Sequence, residues 1–258
     1  MQDHCARSIR RGWKRPFASL VVLLLCSALR AEEPCSVEIK LLLVPSTIKS
    51  VLASLSFEKQ TTSQVYFFDT GNLSLLNQGV IVRVRQGAKN DLTVKVRLPE
   101  GNDQIVSSKL REQFGCEIDR TEAGANTSYS VGKNYKDREI PEGGDDLFSA
   151  LSSQQRELLR EAHVSINWSR VRRTPDIHST MWATPSESPF GKLTLEYWEF
   201  PGGSLLELSA KSASNGWESK YTDLHRIVKL KGLSLSANQE TKTSAVLRGL
   251  KHEASPPH

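Results

Sequence analysis

The chain has 258 residues, of which 38% are hydrophobic and 24% charged, a balance suited to a folded core and unlike that of a disordered chain. Its 34 Lys and Arg against 29 Asp and Glu give a net charge of +5, but residues 1–31 hold six basic residues and one acid, which leaves 28 of each sign beyond them. The body is therefore neutral, with no overall field to draw it to nucleic acid or an anionic membrane, and no apolar run reaches the ~20 residues of a spanning helix.

Residues 1–31 read as an export signal. A basic stretch from Arg7 to Arg15 precedes the apolar Phe17 to Leu29, and the small residues Ala28 and Ala31 mark a cleavage site after Ala31. The protein is then periplasmic or extracellular, residues 32–250 form a single domain, and residues 251–258 are a disordered tail. Of the four cysteines, Cys35 and Cys116 lie beyond the leader. In an oxidising compartment they can pair, and free buried thiols are the alternative. The expectation is that they pair, because each immediately precedes a charged strand segment.

Strands dominate the body. Ser36 to Val44 alternates polar and apolar residues, and Ser46 to Leu55 shows helical spacing with Ser46 as its cap. Val65 to Asp69 is a strand. Gly79 to Gln86 and Leu92 to Leu98 form a hairpin around the turn residues 87–91, and Gly115 to Arg120 is a short strand. Thr121 to Gly144, rich in Gly, Asn and Ser, reads as a long loop, and Asp145 to His163 as one helix. Val164 to Arg173, Leu193 to Phe200 and Leu205 to Lys211 read as strands, the last two joined at Pro201-Gly202-Gly203. Tyr221 to Lys231 and Glu240 to Leu250 are short helices. Trp182 lies in a Pro- and Ser-rich stretch read as a loop, from which it alone of the tryptophans would reach a ligand.

Residues i and i+2 of a strand share a face. Glu38 and Lys40, Arg83 and Arg85, Lys95 and Arg97, Glu117 and Asp119, Arg170 and Arg172, and Glu207 with Lys211 each pair charges on one face, opposite apolar residues. One charged face is ordinary solvated surface; six suggest faces that converge. The set counts eight cations against four acids, and such a concentration calls for a polyanion. Arginine grips phosphate oxygens bidentately, lysine adds point charge, and a few carboxylates can hold Mg²⁺ or Mn²⁺ beside substrate phosphates. Gly-rich phosphate loops, His-Glu-x-x-His, Cys-x-x-Cys and Gly-x-Ser-x-Gly elbows are missing from the sequence.

The order Glu38-x-Lys40, Phe68-Asp69-Thr70, Leu75-Leu76-x-x-Gly79, Val82-Arg83-Val84-Arg85 and Thr93-x-Lys95-x-Arg97 resembles the CYTH domain of the triphosphate tunnel metalloenzymes, a superfamily of thiamine triphosphatases, inorganic triphosphatases and class IV adenylyl cyclases. The resemblance implies an α+β fold: an eight-stranded antiparallel β-barrel, or tunnel, with helices packed outside. It also implies a triphosphate or polyphosphate bound within by Lys40, Arg83, Arg85, Lys95, Arg97, Arg170, Arg172 and Lys211. Glu38, Glu117, Asp119 and Glu207 would hold one or two Mg²⁺ or Mn²⁺ ions, with Glu38 and Lys40 in the catalytic roles. The family's Glu-x-Glu-x-Lys appears here with Ser36 in the first place, and its last acidic pair as Glu207-x-Ser209. The readings are thus a metal-dependent triphosphatase, a non-catalytic exported polyphosphate or organophosphate binder on the same scaffold, an adenylyl cyclase, and an open sandwich whose charged face meets only water.

Overall fold

A computed structural model describes residues 35–99, 108–136 and 139–253; the leader, its cleavage site and the tail after residue 253 lie outside them. The strands are β1 (Ser36–Leu43), β2 (Lys59–Asp69), β3 (Val80–Gly87), β4 (Asp91–Pro99), β5 (Gly115–Thr121), β6 (Gly124–Asn134), β7 (Arg172–Arg173), β8 (Ile177–Ala183), β9 (Leu193–Phe200) and β10 (Gly203–Ser212). They form one sheet in the order β3-β4-β6-β5-β1-β10-β9-β8-β2, which closes on itself because β2 also pairs with β3. β7 adds two residues beside the end of β2.

The barrel therefore has nine strands rather than eight, and it is mixed rather than antiparallel. β1 runs parallel to β5, with Ser36 opposite Glu117 and Glu38 opposite Asp119, while its other edge pairs antiparallel with β10. Two further expectations are corrected. The segment expected as a loop after Thr121 contains β6, hydrogen-bonded to β4 on one side and β5 on the other. Gly, Asn and Ser have low strand propensity, but flanking ladders on both edges override it. Ile177–Ala183 is also a strand, so Trp182 sits in β8 and packs against the apolar layer outside the barrel rather than reaching inward.

Each strand sends one set of side chains inward and the other outward. Val82, Val84, Val94, Val96 and Tyr129 pack outward under the helices α3 (Ser108–Gln113), α4 (Gly144–Ala150) and α5 (Ser153–Glu161). The helix expected from Asp145 to His163 breaks between α4 and α5, because Ser152 and Gln155 form a capping box that starts a new helix. On the opposite side Ile39, Leu41, Leu195 and Leu208 pack under α1 (Ile48–Leu55) and α6 (Trp217–Leu230). In α6 the buried residues Leu224, Ile227 and Val228 follow the helical repeat that selects one face. Thr47, not Ser46, precedes α1, and no side chain caps it.

The inward set changes character along the barrel. Ser63, Arg83, Ser179 and Glu196 line a cavity, whereas one further step along the same faces come Val65, Ile81, Ile177 and Trp198. These meet Val246, Leu247 and Leu250 of α7 (Lys242–Glu253), so one end of the barrel is filled by apolar side chains and the other is charged. Cys35 and Cys116 are joined as a disulfide, Cα atoms 5.0 Å apart, at the start of the parallel β1–β5 ladder. The crosslink spans 81 residues of sequence, a separation at which loop closure costs the unfolded chain heavily. Replacing both cysteines with serine is expected to lower unfolding free energy by about 2–5 kcal/mol. Denaturant melts of this variant beside the wild type measure it, and identical midpoints would refute the stabilising role.

Candidate functional site

The charged end encloses a cavity of about 980 Å³. Nine cations, Lys40, Arg83, Arg85, Lys89, Lys95, Arg97, Lys192, Lys211 and Lys242, line it against the five carboxylates Glu38, Glu58, Glu117, Glu196 and Glu207. Lys40 comes from β1, the arginine pair Arg83 and Arg85 from β3, Lys95 and Arg97 from β4, and Lys211 from β10. Hydroxyl residues Thr61, Ser63, Thr93, Ser130, Ser179, Thr194 and Ser209 fill the gaps between them. Small side chains there leave room for a ligand between the charged groups.

Arg170 and Arg172 do not join this set. Arg170 ends a 3-10 turn, Trp168–Arg170, and is exposed. Arg172 is exposed on β7 and donates to the carbonyls of Ser169 and Val171, both 2.8 Å away. The alternation around Val171 is real, but the segment lies outside the barrel, where Val171 joins the α4–α5 layer.

Asp119 organises one wall. Its side chain has no solvent exposure, its Oδ1 accepts from Lys40, and its Oδ2 lies 2.7 Å from Lys95 Nζ and 3.5 Å from Arg97 Nε. Ser128 Oγ adds a contact at 3.3 Å. Burial alone would raise its pKa, but Lys40, Lys95 and Arg97 hold it well below the usual carboxylate range. Lys40 is also 2.8 Å from Glu38 Oε2. Burial would lower the Lys40 pKa, yet Asp119 and Glu38 raise it well above the ordinary lysine value. Lys40 is thus a fixed positive charge at any working pH and no proton acceptor. Lys95 differs: burial, together with Lys40 and Arg97 nearby, pushes its ammonium down.

Glu38, Glu117 and Asp119 place carboxylate oxygens within 4.8 Å of one another, a grouping able to hold a metal ion. The donor set fits a hard divalent cation in a particular way. All three carboxylates are paired with cations, Glu117 also with Lys95 at 3.5 Å, but Asp119 is wholly buried whereas Glu38 and Glu117 line the cavity. Two carboxylates with the remaining positions left to phosphate oxygens and water is the usual Mg²⁺ arrangement. Lys211, which reaches Glu117 at 2.8 Å, is largely exposed and free to swing aside. Glu38 is ionised at neutral pH: burial would raise its pKa, but Lys40, with Lys242 and Lys211, holds it down.

Glu207 was expected among the metal ligands. Its Oε1 is instead 2.7 Å from Lys242 Nζ, and the same ammonium contacts Glu196. Neither Glu196 nor Lys242 was expected in the site, although the Lys242 to Leu250 stretch loosely fits the end of the CYTH pattern. The signal for Glu196 was present in Thr194 and Glu196 alternating with Leu193 and Leu195; Lys242 stands at a helix start and shows no strand periodicity. Ser209 stays in the site, its hydroxyl 3.3 Å from Glu38 Oε1, and Ser36 is exposed at the strand start.

Other motif residues prove to be scaffold. Asp69 accepts from the backbone N–H groups of Thr70, Leu75 and Leu76 at 2.7–2.9 Å, and so fixes the short α2 (Ser74–Asn77). Gly79, which follows α2, has φ +73° and lies so close to the chain that an added Cβ would stand 2.2 Å from the Arg97 carbonyl. Arg97 N donates to Gly79 O at 2.8 Å. This close approach sets where β4 carries Arg97.

Arg83 is paired less fully than Arg85. Its Nε is buried without a hydrogen-bond partner, and burial, with Arg85 beside it, depresses its pKa to about 10. Arg85, by contrast, is paired through Nε with Asp91 Oδ1 at 3.0 Å.

No protein-family model and no curated protein matches the chain at a significant level. Solved structures do. A candidate adenylyl cyclase from Hippeastrum, HpAC1, described as having a dominant triphosphatase activity, superposes with a TM-score of 0.55 at 18% identity, over 82% of this chain and 95% of its own. A candidate adenylate cyclase from Bacillus halodurans gives a TM-score of 0.55 at 18% identity, covering 82% of this chain and 97% of that one. The chain thus has the fold of CYTH-type cyclase- and triphosphatase-like proteins, the triphosphate-tunnel architecture.

Glu196 is held down to about 2 from an ordinary 4.5; burial opposes this, and Lys242, Trp198 and Ser179 outweigh it. A carboxylate with a depressed folded-state pKa contributes stability that is present above 4.5 and lost as pH falls toward about 2. Melting temperature is therefore expected to fall over that window, and less steeply in Glu196→Gln. Parallel acid melts check this, and equal slopes would show that the Glu196 pair does not contribute.

Proposed function

We propose that the protein binds a triphosphate or polyphosphate chain in the charged end of the barrel and hydrolyses a phosphoanhydride bond with the help of Mg²⁺ or Mn²⁺. The observation that carries the reading is the excess of cations in the cavity, with Arg83 half-buried and its buried Nε without a hydrogen-bond partner. Two unit charges ~5 Å apart repel by about 3 kcal/mol at an effective dielectric of 20, so an empty cavity holds repulsion that a polyanion relieves. Arg83, Arg85 and Arg97 offer forked donors for bridging and terminal phosphate oxygens, while Lys40 and Lys95 supply charge around them.

A divalent ion held by Glu38 and Glu117 would supply Lewis-acid charge at the phosphate oxygens. The protein's own part is positional and electrostatic. Lys40 stabilises negative charge developing in the transition state and keeps Glu38 ionised and oriented. Asp119 holds Lys40, Lys95 and Arg97 in place without competing for the ligand, since it is wholly buried beneath them. The two solved structures with the same fold support a phosphate-chain ligand by analogy of architecture. Export is proposed from the leader, and the Cys35–Cys116 disulfide supports an oxidising compartment.

A second reading, a polyphosphate binder without turnover, is favoured by Ser36 and Ser209 standing where the family resemblance expects carboxylates. Calorimetry with tripolyphosphate, beside phosphate release with Mg²⁺, separates the two. Arg83→Ala is expected to weaken tripolyphosphate binding about 10- to 150-fold, the equivalent of about 1.5–3 kcal/mol for charge-assisted hydrogen bonds, while melting stays level or rises. Unchanged affinity would overturn the ligand assignment. Glu38→Gln and Glu117→Gln should each reduce metal-dependent phosphate release. Wild-type protein that binds tripolyphosphate but releases no phosphate would establish the second reading instead.

A further inference from the structure

Glu196 on β9 and Glu207 on β10 are direct partners in the antiparallel ladder, and both face the cavity. Neighbouring carboxylates on one face repel, and burial strengthens the repulsion. Here the ammonium of Lys242 lies between them, 2.7 Å from Glu207 Oε1 and against Glu196 Oε2. Glu196 is engaged at both oxygens. Its other oxygen accepts from Ser179 Oγ at 3.0 Å and from Trp198 Nε1 at 2.7 Å.

Lys242 is also fixed from its own side. It opens α7, whose body is anchored in the apolar end of the barrel by Val246, Leu247 and Leu250. The preceding Thr241 accepts from Arg97 Nη1 at 3.0 Å, and the Trp198 ring lies 4.9 Å from the Lys242 ammonium. Only 16% of the Lys242 side chain is exposed, against 68% for Lys211, the cavity lysine that can swing away from its carboxylate.

We infer that the Glu196–Glu207 pair is a cation position filled by the protein itself, with the Lys242 ammonium standing where a second divalent ion would otherwise sit. The inference rests on the proposed metal-assisted phosphate chemistry and deepens it. The protein then recruits one divalent ion, at Glu38 and Glu117, and carries the other positive charge on a helix. The third N–H of Lys242 is left for the cavity, where it meets a phosphate oxygen in the role a metal ion would take. A lysine brings one charge instead of two and needs no open coordination sites, so the Glu196 side of the cavity would position phosphate without binding solvent metal.

The test is the number of Mn²⁺ ions bound, counted by equilibrium dialysis and by the loss of free-ion paramagnetic resonance signal. It is run with intact protein saturated with a non-hydrolysable tripolyphosphate analogue. Wild type is expected to bind one ion and Lys242→Met two. Thermal melts give a second readout: Lys242→Met should melt lower than wild type without metal and recover with Mn²⁺, as the ion takes up the two carboxylates. Should Lys242→Met fold poorly, the double variant Lys242→Met with Glu207→Gln keeps the comparison, and it should return to the wild-type ion count. Equal counts in wild type and Lys242→Met, or two ions in wild type, overturn the inference. No ion in wild type but one in Lys242→Met would retain it while removing the metal assignment at Glu38 and Glu117.

Discussion

A carboxylate without access to solvent holds the charged half of this barrel together. Asp119 contacts Lys40, Lys95, Arg97 and Ser128, contributed by three other strands, and has no exposed side-chain surface. Leaving any of these cations buried without a counter-charge would cost several kcal/mol, and so would leaving Asp119 without them. The network therefore fixes the spacing of the charged groups that line the cavity. The acids consequently differ in what they do. Asp119 pairs with buried cations, Glu207 with Glu196 holds Lys242, and Glu38 and Glu117 line the cavity within 4.8 Å of Asp119, a grouping able to hold a metal ion.

The rest of the fold serves this arrangement. Outward-facing valines and leucines are covered by helices on both sides, so the inner faces are free for polar groups, and β2, β3, β8 and β9 add apolar groups at one end. α7 contributes to both ends in succession. Its apolar face fills the inner end, while its first residue projects an ammonium into the charged end. Arg83 is paired less fully than Arg85, with a buried Nε that has no hydrogen-bond partner.

The barrel and most of its basic ladder were legible in the sequence because strand alternation is a local pattern. Val82-Arg83-Val84-Arg85 reveals its two faces without reference to any other residue. What could not be read was longer in range. β6 has the composition of a loop and becomes a strand because β4 and β5 offer ladders on both its edges. The same alternation misplaced Arg170 and Arg172, since period two identifies a face but not the sheet it belongs to. Lys242 enters the site from a helix terminus and leaves no periodic trace. The contacts of Asp119 with Lys40, Lys95 and Arg97 depend on β1, β4 and β5 being assembled in one sheet, which no local pattern reveals.

The parallel pairing of β1 with β5 also sets the order in which the molecule can assemble. The β3–β4 and β5–β6 hairpins, joined through β4–β6, have neighbours close in sequence and can form early. β1, first in the barrel, must wait for β5 some 79 residues on and for β10, where Ser209 lies 171 residues from Glu38. Contacts of such separation form late because the intervening chain must first lose its freedom. The strand bearing Glu38 and Lys40 is thus translated first and seated last. Until the final hairpin of the chain is in place, a nascent molecule exposes the apolar face of β1 and has no finished cavity. The interval before closure is when it would most need protection from aggregation.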